Sequence, residues 1–353
     1  MFDMRTLAAG CLGLLLLMTA QIAVATPPSH AVVFIYHRFG DPRYPSTNVR
    51  LDQFDAQLDW LAENGYQVWS LPKIVSRLEQ GKPIPDHVVA ITVDDAYQSV
   101  YDKAWPRMRA RGWPLTVFVS TGAVDAHLPD FMSWDEMREM ARSGVTFGNH
   151  SVDHAHLAFH RPGESDMQWA DRVRRDILDA QTRLQRELGP DTNTSPRLFA
   201  YPYGEYDSVL AQMVTGLGYT AFGQESGALA EPLDPRALPR YPVNEHYGDL
   251  ATFALKAASL PMPVKTVTPW NPLVQDTNPP RMEVTLEAGK VPPERLHCYL
   301  NGPATPVVWL DEARTRFAVQ GSEPMSAGRA RYNCTARVAG RYYWYSHMWL
   351  LPP

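Results

Sequence analysis

The chain of 353 residues has only three cysteines, a formal net charge of −5 and no block of basic residues. Without a basic patch that could follow a phosphate backbone, nucleic acid is not the expected partner. Beyond the N-terminal segment, no apolar run is long enough to cross a bilayer, and the sequence contains no internal repeat and no low-complexity tract. The length allows one large domain together with a small one, or two domains of medium size.

The first 25 residues have the pattern of a secretion signal. Arg5 precedes an apolar run over residues 7–20, and Ala-Val-Ala at 23–25 forms a small-residue cleavage site before Thr26. We therefore expect an exported protein, periplasmic or secreted. Two alternatives stay open, an uncleaved membrane anchor and a lipoprotein signal around Cys11, although most of the apolar run follows that cysteine.

Removal of the signal would leave Cys298 and Cys334 as an even pair. Paired cysteines in an exported chain are typically oxidised, so we predict a disulfide between them. Closing a loop of this length contributes about 3–4 kcal/mol to stability. Two buried free thiols are the alternative.

The domain organisation follows from periodicity. Strands and helices alternate along residues 26–260, which predicts an α/β fold with parallel βα units in a barrel or an open sheet. Residues 261–280 contain six prolines and no periodicity, the pattern of a linker. Residues 281–353 contain short β-like runs between turn residues, which predicts a small all-β domain that holds the disulfide. Its aromatic end, residues 342–349, is either core or a sugar-stacking platform.

Four predicted strand ends carry reactive or specialised side chains. They are His37-Arg38, Asp94-Asp95, His150 with His154, and Pro202-Tyr203-Gly204. Since the carboxyl ends of parallel strands meet at one edge of a βα fold, these residues are expected to share a site.

The spacing of His150 and His154 allows both imidazoles to reach one metal ion from a helix or a tight turn. Position 151 is Ser rather than the Glu of zinc peptidases, so a carboxylate must come from elsewhere, and the Asp94-Asp95 pair supplies it. One Asp and two His suit Zn²⁺, or another divalent ion such as Co²⁺ or Ni²⁺, with one position open for water. The ion would lower the pKa of that water, and the second Asp would take its proton.

Three motifs of this sequence resemble, in the same order, the first three motifs of the polysaccharide deacetylases, which are metal-dependent carbohydrate esterases. The motifs are Thr92-Val93-Asp94-Asp95, His150-Ser151-Val152-Asp153-His154 and Ala200-Tyr201-Pro202-Tyr203-Gly204. The resemblance covers about residues 31–250 and implies an irregular (β/α) barrel that removes N-acetyl groups from amino sugars. The third motif is most similar to the deacetylases of poly-N-acetylglucosamine. We therefore expect an acetylated amino-sugar polysaccharide as substrate, with exopolysaccharide first, peptidoglycan second and chitin oligomers third.

The resemblance also implies a role for each motif residue. Asp94 is the general base, and Asp95, His150 and His154 are the metal ligands. The backbone N–H of Tyr203 stabilises the oxyanion. Pro202, Tyr203 and His37 are the residues expected to bind substrate.

Two features of the family are missing at their expected positions. The arginine that orients the base is replaced by Ala200, and Arg240 is the candidate substitute. The late motif that carries the general acid is not visible, which leaves His246 and His37 as candidates. His156 and His160 are expected at the surface or around the ligands.

Two other functions remain open at this point. An O-acetyl esterase acting on xylan-type glycans would use the same metal site, so only substrate trials separate it from an N-deacetylase. A non-catalytic glycan-binding protein would be expected to lack a ligand or the base, and here all four residues are present.

Overall fold

The computed structural model describes residues 29–352, so the predicted signal segment 1–25 lies outside the described residues. Among the residues that are described, none of the helices has both the length and the apolar character needed to cross a membrane.

The first part of the chain alternates strands with helices, as its periodicity predicts. The strands are β1 (His30–Tyr36), β2 (Arg38–Phe39), β3 (Asn48–Val49), β4 (Gln67–Val68), β5 (Val88–Asp94), β6 (Thr116–Val119), β7 (Thr146–Asn149), β8 (Arg197–Ala200), β9 (Tyr219–Phe222), β10 (Leu229–Ala230) and β11 (Tyr241–Pro242). The helices are α1 (Leu51–Glu63), α2 (Leu71–Glu79), α3 (Trp105–Ala110), α4 (Thr121–Asp125), α5 (Trp134–Arg142), α6 (Asp166–Leu188), α7 (Ser208–Gly216) and α8 (Leu250–Ala257).

The main sheet runs in the order β10-β1-β5-β6-β7-β8-β9, with β4 beside β5 and β11 beside β1. The pairs from β1 to β9 along this path are parallel, and β10 alone runs antiparallel to β1. All seven residues of β1 and all seven of β5 are buried, because helices cover one face of the sheet and the barrel interior fills the other.

An irregular segment closes the sheet into a barrel. Leu238 donates its N–H to the carbonyl of Ala221 in β9, and a few residues later β11 pairs in parallel with Phe34 and Ile35 of β1. The segment therefore hydrogen-bonds to β9 at one end of the curled sheet and to β1 near the other end. The predicted irregular (β/α) barrel is confirmed.

The remaining strands form two smaller sheets, in which all pairs are antiparallel except that of β12 with β20. They are β12 (Leu260–Pro261), β13 (Val264–Thr268), β14 (Met282–Leu286), β15 (Leu296–Leu300), β16 (Ala304–Thr305), β17 (Val307–Trp309), β18 (Arg316–Val319), β19 (Gly328–Val338) and β20 (Arg341–Leu351). One sheet has the order β12-β20-β19-β15-β16 and the other β13-β14-β18-β17. Cys298 and Cys334 face each other across β15 and β19 and form the predicted disulfide.

The segment 261–280, predicted to be a linker, differs from that prediction. Val264–Thr268 forms strand β13, which pairs with β14 across a register shift. Beyond it, Trp270 packs against Tyr206 of the barrel, and Leu273 bridges to Leu350 of β20. Part of the proline-rich segment therefore belongs to a sheet, and part of it packs between the barrel and the C-terminal strands.

Candidate metal and catalytic site

The specialised residues lie where neighbouring parallel strands end. Asp94 is the last residue of β5 and Asp95 follows it, His37 follows β1, and His150 follows β7. The turn with Tyr203 comes directly after β8. Since these strands are parallel neighbours or next neighbours in the sheet, their carboxyl ends bring the side chains to one edge of the barrel.

Asp95, His150 and His154 form a compact cluster of metal-ligand type, in which the three ligand atoms all lie within 4.8 Å of one another. Asp95 Oδ1 lies 3.3 Å from His150 Nε2 and 3.2 Å from His154 Nε2. Asp95 and His150 are buried, whereas His154 keeps partial access to solvent. One carboxylate and two imidazoles with an accessible side are the donor set of a catalytic rather than a closed structural metal site.

The orientation of His150 supports this interpretation. Its Nδ1 lies 2.7 Å from the carbonyl oxygen of Ala200, so Nδ1 carries a proton and the ring is held with Nε2 toward the cluster. His154 lies in a turn rather than in a helix. Its backbone N–H donates a hydrogen bond to Ser151 Oγ at 3.0 Å. Two imidazoles four residues apart thus converge because a local turn folds the chain back.

Charges in the cluster favour a cation. Burial and the neighbouring His150 lower the pKa of His154 to about 4, so this imidazole is neutral near neutral pH. Burial alone would raise the pKa of Asp95, but its hydrogen bond to His150 outweighs burial and holds that pKa well below its usual range. A neutral imidazole beside an ionised carboxylate matches what a divalent metal requires of its ligands.

Asp94 is paired with an arginine inside the barrel. Arg240 donates from Nη1 to Asp94 Oδ1 at 2.7 Å and from Nη2 to Asp94 Oδ2 at 2.8 Å, and both side chains are fully buried. Burial opposes ionisation, but Arg240 and His150 outweigh it and lower the pKa of Asp94. Asp94 Oδ2 is also 3.9 Å from His150 Nε2, so an ionised, oriented carboxylate borders the ligand cluster.

Backbone strain concentrates at this edge of the barrel. Eleven non-glycine residues of the described chain have a positive φ, and five of them belong to the site. The five are Asp95, Ala96, Ser151, His154 and Tyr203. Non-glycine residues keep a positive φ only where surrounding contacts hold them in that conformation, and such residues cluster at functional sites.

The turn that contains Tyr203 lies beside the metal-ligand cluster. Pro202–Gly204 is a single 3₁₀ turn in which Tyr203 has φ 60° and Gly204 has φ 71°. Amide groups at the start of a helical turn lack acceptors within the turn, so the Tyr203 N–H is available to a bound group. The Tyr203 ring contacts His154 edge to face, with ring centroids 4.4 Å apart, which places the turn beside the metal ligands.

Of the four other histidines named from the sequence, only His37 lies beside the cluster, and the remaining three are exposed. His37 is half-buried and interacts with the charges of Asp95 and Asp94, and burial lowers its pKa. His246 is exposed, and the contact described for it is with the ring of Tyr247 rather than with the cluster. His156 and His160 are exposed, as expected, and His156 reaches the Tyr203 turn.

Three residues at the site were not predicted from the sequence. Tyr97 interacts with Asp95 and lies under the guanidinium of Arg38, 3.5 Å from its ring centroid. Glu205 is buried beside the Tyr203 turn, and Arg329 approaches the same turn from β19. Tyr97 lies next to the acid motif and could have been suspected, whereas Arg329 is far away in the sequence and carries no local signal.

The fold is a βα barrel with a cluster of metal-ligand type at its strand ends. Residues 81–222 match the family described as polysaccharide deacetylase. The matched range contains all three motifs on which the predicted resemblance to this family rests.

Individual relatives are similar to this chain as well. The poly-beta-1,6-N-acetyl-D-glucosamine N-deacetylase of Escherichia coli strain K12 is 29% identical over 234 residues, which cover 57% of this chain. The protein of the same name from Staphylococcus aureus strain MRSA252 is 26% identical over 218 residues, covering 60% of this chain and 73% of that protein. This chain spans only 34% of the length of the E. coli relative.

Solved structures show the same fold. The structure of IcaB from Ammonifex degensii superposes with a TM-score of 0.55 at 25% identity, and covers 66% of this chain and 98% of that one. The similarity thus includes nearly the whole of that protein and about two thirds of this one.

Proposed function

We propose that this protein is a metal-dependent hydrolase that removes N-acetyl groups from a polysaccharide of the poly-N-acetylglucosamine type. The observation that carries the proposal is the convergence of Asp95, His150 and His154 beside Asp94, which Arg240 holds ionised. The proposal is supported by relatives that are named N-deacetylases of poly-beta-1,6-N-acetyl-D-glucosamine.

The metal ligands in the proposal are Asp95, His150 and His154. When bound, a divalent ion such as Zn²⁺, Co²⁺ or Ni²⁺ would supply positive charge that polarises the acetamide carbonyl and acidifies water. The residues fit such an ion because His150 is fixed by Ala200, and because the three ligand atoms lie within 4.8 Å of one another.

Asp94 acts as the general base. Both of its oxygens accept hydrogen bonds from Arg240, so its orientation is fixed and its carboxylate stays ionised. It would accept the proton of the water that attacks the acetamide carbon, a role in which a positioned carboxylate typically contributes about 10²- to 10⁴-fold in rate.

Tyr203 acts through its backbone. Its N–H would donate to the oxygen of the acetamide carbonyl as negative charge develops there, and the strained turn fixes the direction of this N–H before substrate binds. Pro202 precedes it and restricts the backbone of the turn.

His37 is the proton donor that we propose for the leaving amine. It follows β1, the strand beside β5, and interacts electrostatically with the carboxylates of Asp95 and Asp94. His246 remains the alternative from the sequence, but its described contact is with Tyr247 on the exposed side of its loop.

Export of the protein is also part of the proposal. The segment 1–25 has the pattern of a signal, and the Cys298–Cys334 disulfide is of the kind that persists in oxidising compartments. Either the periplasm or the exterior would satisfy both observations and would give access to an exported polymer.

The deciding experiment measures acetate release from β-1,6-linked N-acetylglucosamine oligomers by the purified protein. The protein is assayed as isolated, after a chelator, and after addition of Zn²⁺, Co²⁺ or Ni²⁺. We expect acetate release that the chelator abolishes and a metal restores. Parallel assays use peptidoglycan, chitin oligomers and O-acetylated xylan.

Each alternative result contradicts a defined part of the proposal. If acetate is released from O-acetylated xylan alone, the enzyme cleaves an ester bond rather than an amide bond. Activity that survives complete removal of metal would contradict the role of the ligand cluster. Metal binding without acetate from any glycan would favour a glycan-binding protein.

A further inference from the structure

We propose that Arg329, a residue of the C-terminal sheet, is a positioning residue of the deacetylase site and holds the turn that presents the Tyr203 N–H. The inference rests on the proposed function and deepens it, because it gives the C-terminal β-strands a part in catalysis.

The first observation is direct contact between Arg329 and the turn. Arg329 Nη1 donates a hydrogen bond to the carbonyl oxygen of Tyr203, across a sequence separation of 126 residues. Its Nε lies 3.6 Å from Glu205 Oε1, and its guanidinium carbon lies 5.9 Å from the centroid of the Tyr203 ring. One side chain of the C-terminal sheet therefore contacts the backbone of Tyr203 and the acid two residues after it.

The second observation is that the turn is held on its other side by the same network. Buried Glu205 places Oε2 2.6 Å from Nδ1 of His156. The His156 ring stacks on the Tyr203 ring with centroids 4.2 Å apart and planes 11° from parallel. Arg329 and His156 thus share Glu205 between them and contact the carbonyl and the ring of Tyr203, respectively.

The conformation of Tyr203 explains why such a clamp would matter. A tyrosine at φ 60° costs about 1–2 kcal/mol relative to ordinary backbone, so the isolated turn would relax to another conformation. Relaxation would rotate the peptide unit and redirect its N–H. A hydrogen-bond donor stabilises a developing oxyanion only when it is already aimed at that oxygen.

The sheet is suited to hold Arg329 in place. β19 pairs along its whole length with β20 and carries the disulfide at Cys334. Arg331 lies two residues along β19, on the same face as Arg329, and interacts electrostatically with buried Glu225 of the barrel. Two arginines of one strand thus face the barrel loops, and Arg329 is the one that reaches the catalytic turn.

The experiment compares Arg329→Ala, Arg329→Lys and Arg337→Ala in the full chain. Arg337 is an exposed arginine of the same strand with a described contact to Tyr342, and serves as the matched control. With β-1,6-linked N-acetylglucosamine oligomers, Arg329→Ala is expected to lower kcat about tenfold or more while KM changes less than about threefold, since an oxyanion donor acts in the transition state. Lys should restore part of kcat, and bound metal and Tm should match the unsubstituted chain.

A second measurement does not depend on activity. Hydrogen–deuterium exchange of the peptide that contains residues 201–206 is expected to rise in Arg329→Ala and to stay unchanged in Arg337→Ala. Exchange in β5 should remain the same in both variants.

These results separate the failure of the inference from the failure of the proposed function. An active parent chain whose kcat is unaffected by Arg329→Ala overturns the inference, and so does a rise in KM alone, which would make Arg329 a substrate-binding residue. Unchanged exchange at 201–206 also overturns it, whether or not the parent chain deacetylates these oligomers. An inactive parent chain counts against the proposed function alone.

Discussion

Arg240 and Arg329 reach the same site from different parts of the molecule, one from the segment that closes the barrel and the other from the C-terminal sheet. Arg240 is fully buried and makes a bidentate pair with Asp94, which is also fully buried. The Arg329 side chain is 36% exposed and contacts a carbonyl and a carboxylate at the rim. The charge is the same, but the cost of removing it differs, because water can replace Arg329 and cannot easily replace Arg240.

The comparison suggests a division between the two sides of the site. The acid side is built into the barrel core, so changes there alter stability and activity together. The Tyr203 side depends on contacts between the barrel and the C-terminal strands, so changes there are expected to alter activity while most of the fold persists.

The largest expected effect comes from the base itself. Asp94→Asn keeps the size and burial of the side chain but removes the proton acceptor, so turnover should fall by about 10²- to 10⁴-fold. Bound metal, measured by elemental analysis, should stay close to the level of the parent chain, because Asp94 is not one of the three clustered ligands.

The matched variant for Asp94→Asn is His154→Ala, which removes a ligand and is expected to lose the metal as well as activity. Equal metal loss in both variants would contradict the division of roles between Asp94 and the ligand cluster.

The second effect tests the buried pair. Arg240→Met keeps an unbranched apolar stem but leaves Asp94 without its partner, and breaking a buried ion pair from one side costs about 3–5 kcal/mol. We expect a large decrease in the free energy of unfolding, measured by denaturant titration, together with loss of activity.

The double variant Arg240→Met with Asp94→Asn controls for the lost charge and should recover part of the stability without recovering activity. If Arg240→Met were no less stable than Arg329→Ala, the contrast between the buried and the exposed arginine would be wrong.

The sequence predicted the acid side of the site better than the Tyr203 side, for a physical reason. Asp94, Asp95, His150 and His154 lie at the ends of buried strands, where local pattern and sheet topology together fix their position. Arg240 could be proposed because the resemblance implies an arginine that orients the base, and Ala200 stands at its expected position. Its bidentate contact with Asp94 is a tertiary feature that only the structure supplies.

The contacts of Arg329 could not be predicted in this way. They join β19 to a turn 126 residues earlier, and nothing in the local sequence of β19 distinguishes Arg329 from Arg337. Strand β13 was not predicted from the sequence for a different reason. Its residues are partly or fully exposed and its pairing shifts register after Val264, so no alternating apolar pattern marks it.

The smallest expected effect lies where the barrel and the C-terminal sheet meet far from the catalytic turn. Asp86 accepts hydrogen bonds from Arg341 of β20 at 2.6 and 3.0 Å, with His30 3.6 Å away. Burial opposes ionisation, but the bond to Arg341 outweighs it and lowers the pKa of Asp86. A lowered carboxyl pKa stabilises the folded state above the unfolded value of about 3.9, and this contribution disappears as the pH falls through the folded pKa.

A double-mutant cycle with Asp86→Asn and Arg341→Met is expected to show a coupling of less than about 1 kcal/mol near pH 7, because the pair is partly exposed. Thermal unfolding at several pH values measures this coupling, which should begin to weaken below about pH 4 and vanish as the pH falls through the lowered pKa of Asp86 in the folded state. A coupling that persists after Asp86 is protonated in the folded state would show that the contact holds the sheet to the barrel through packing rather than charge. The Arg329 contact would then be the more charge-dependent of the two, because Arg329 lies beside the buried acid Glu205, whereas packing would dominate at Arg341.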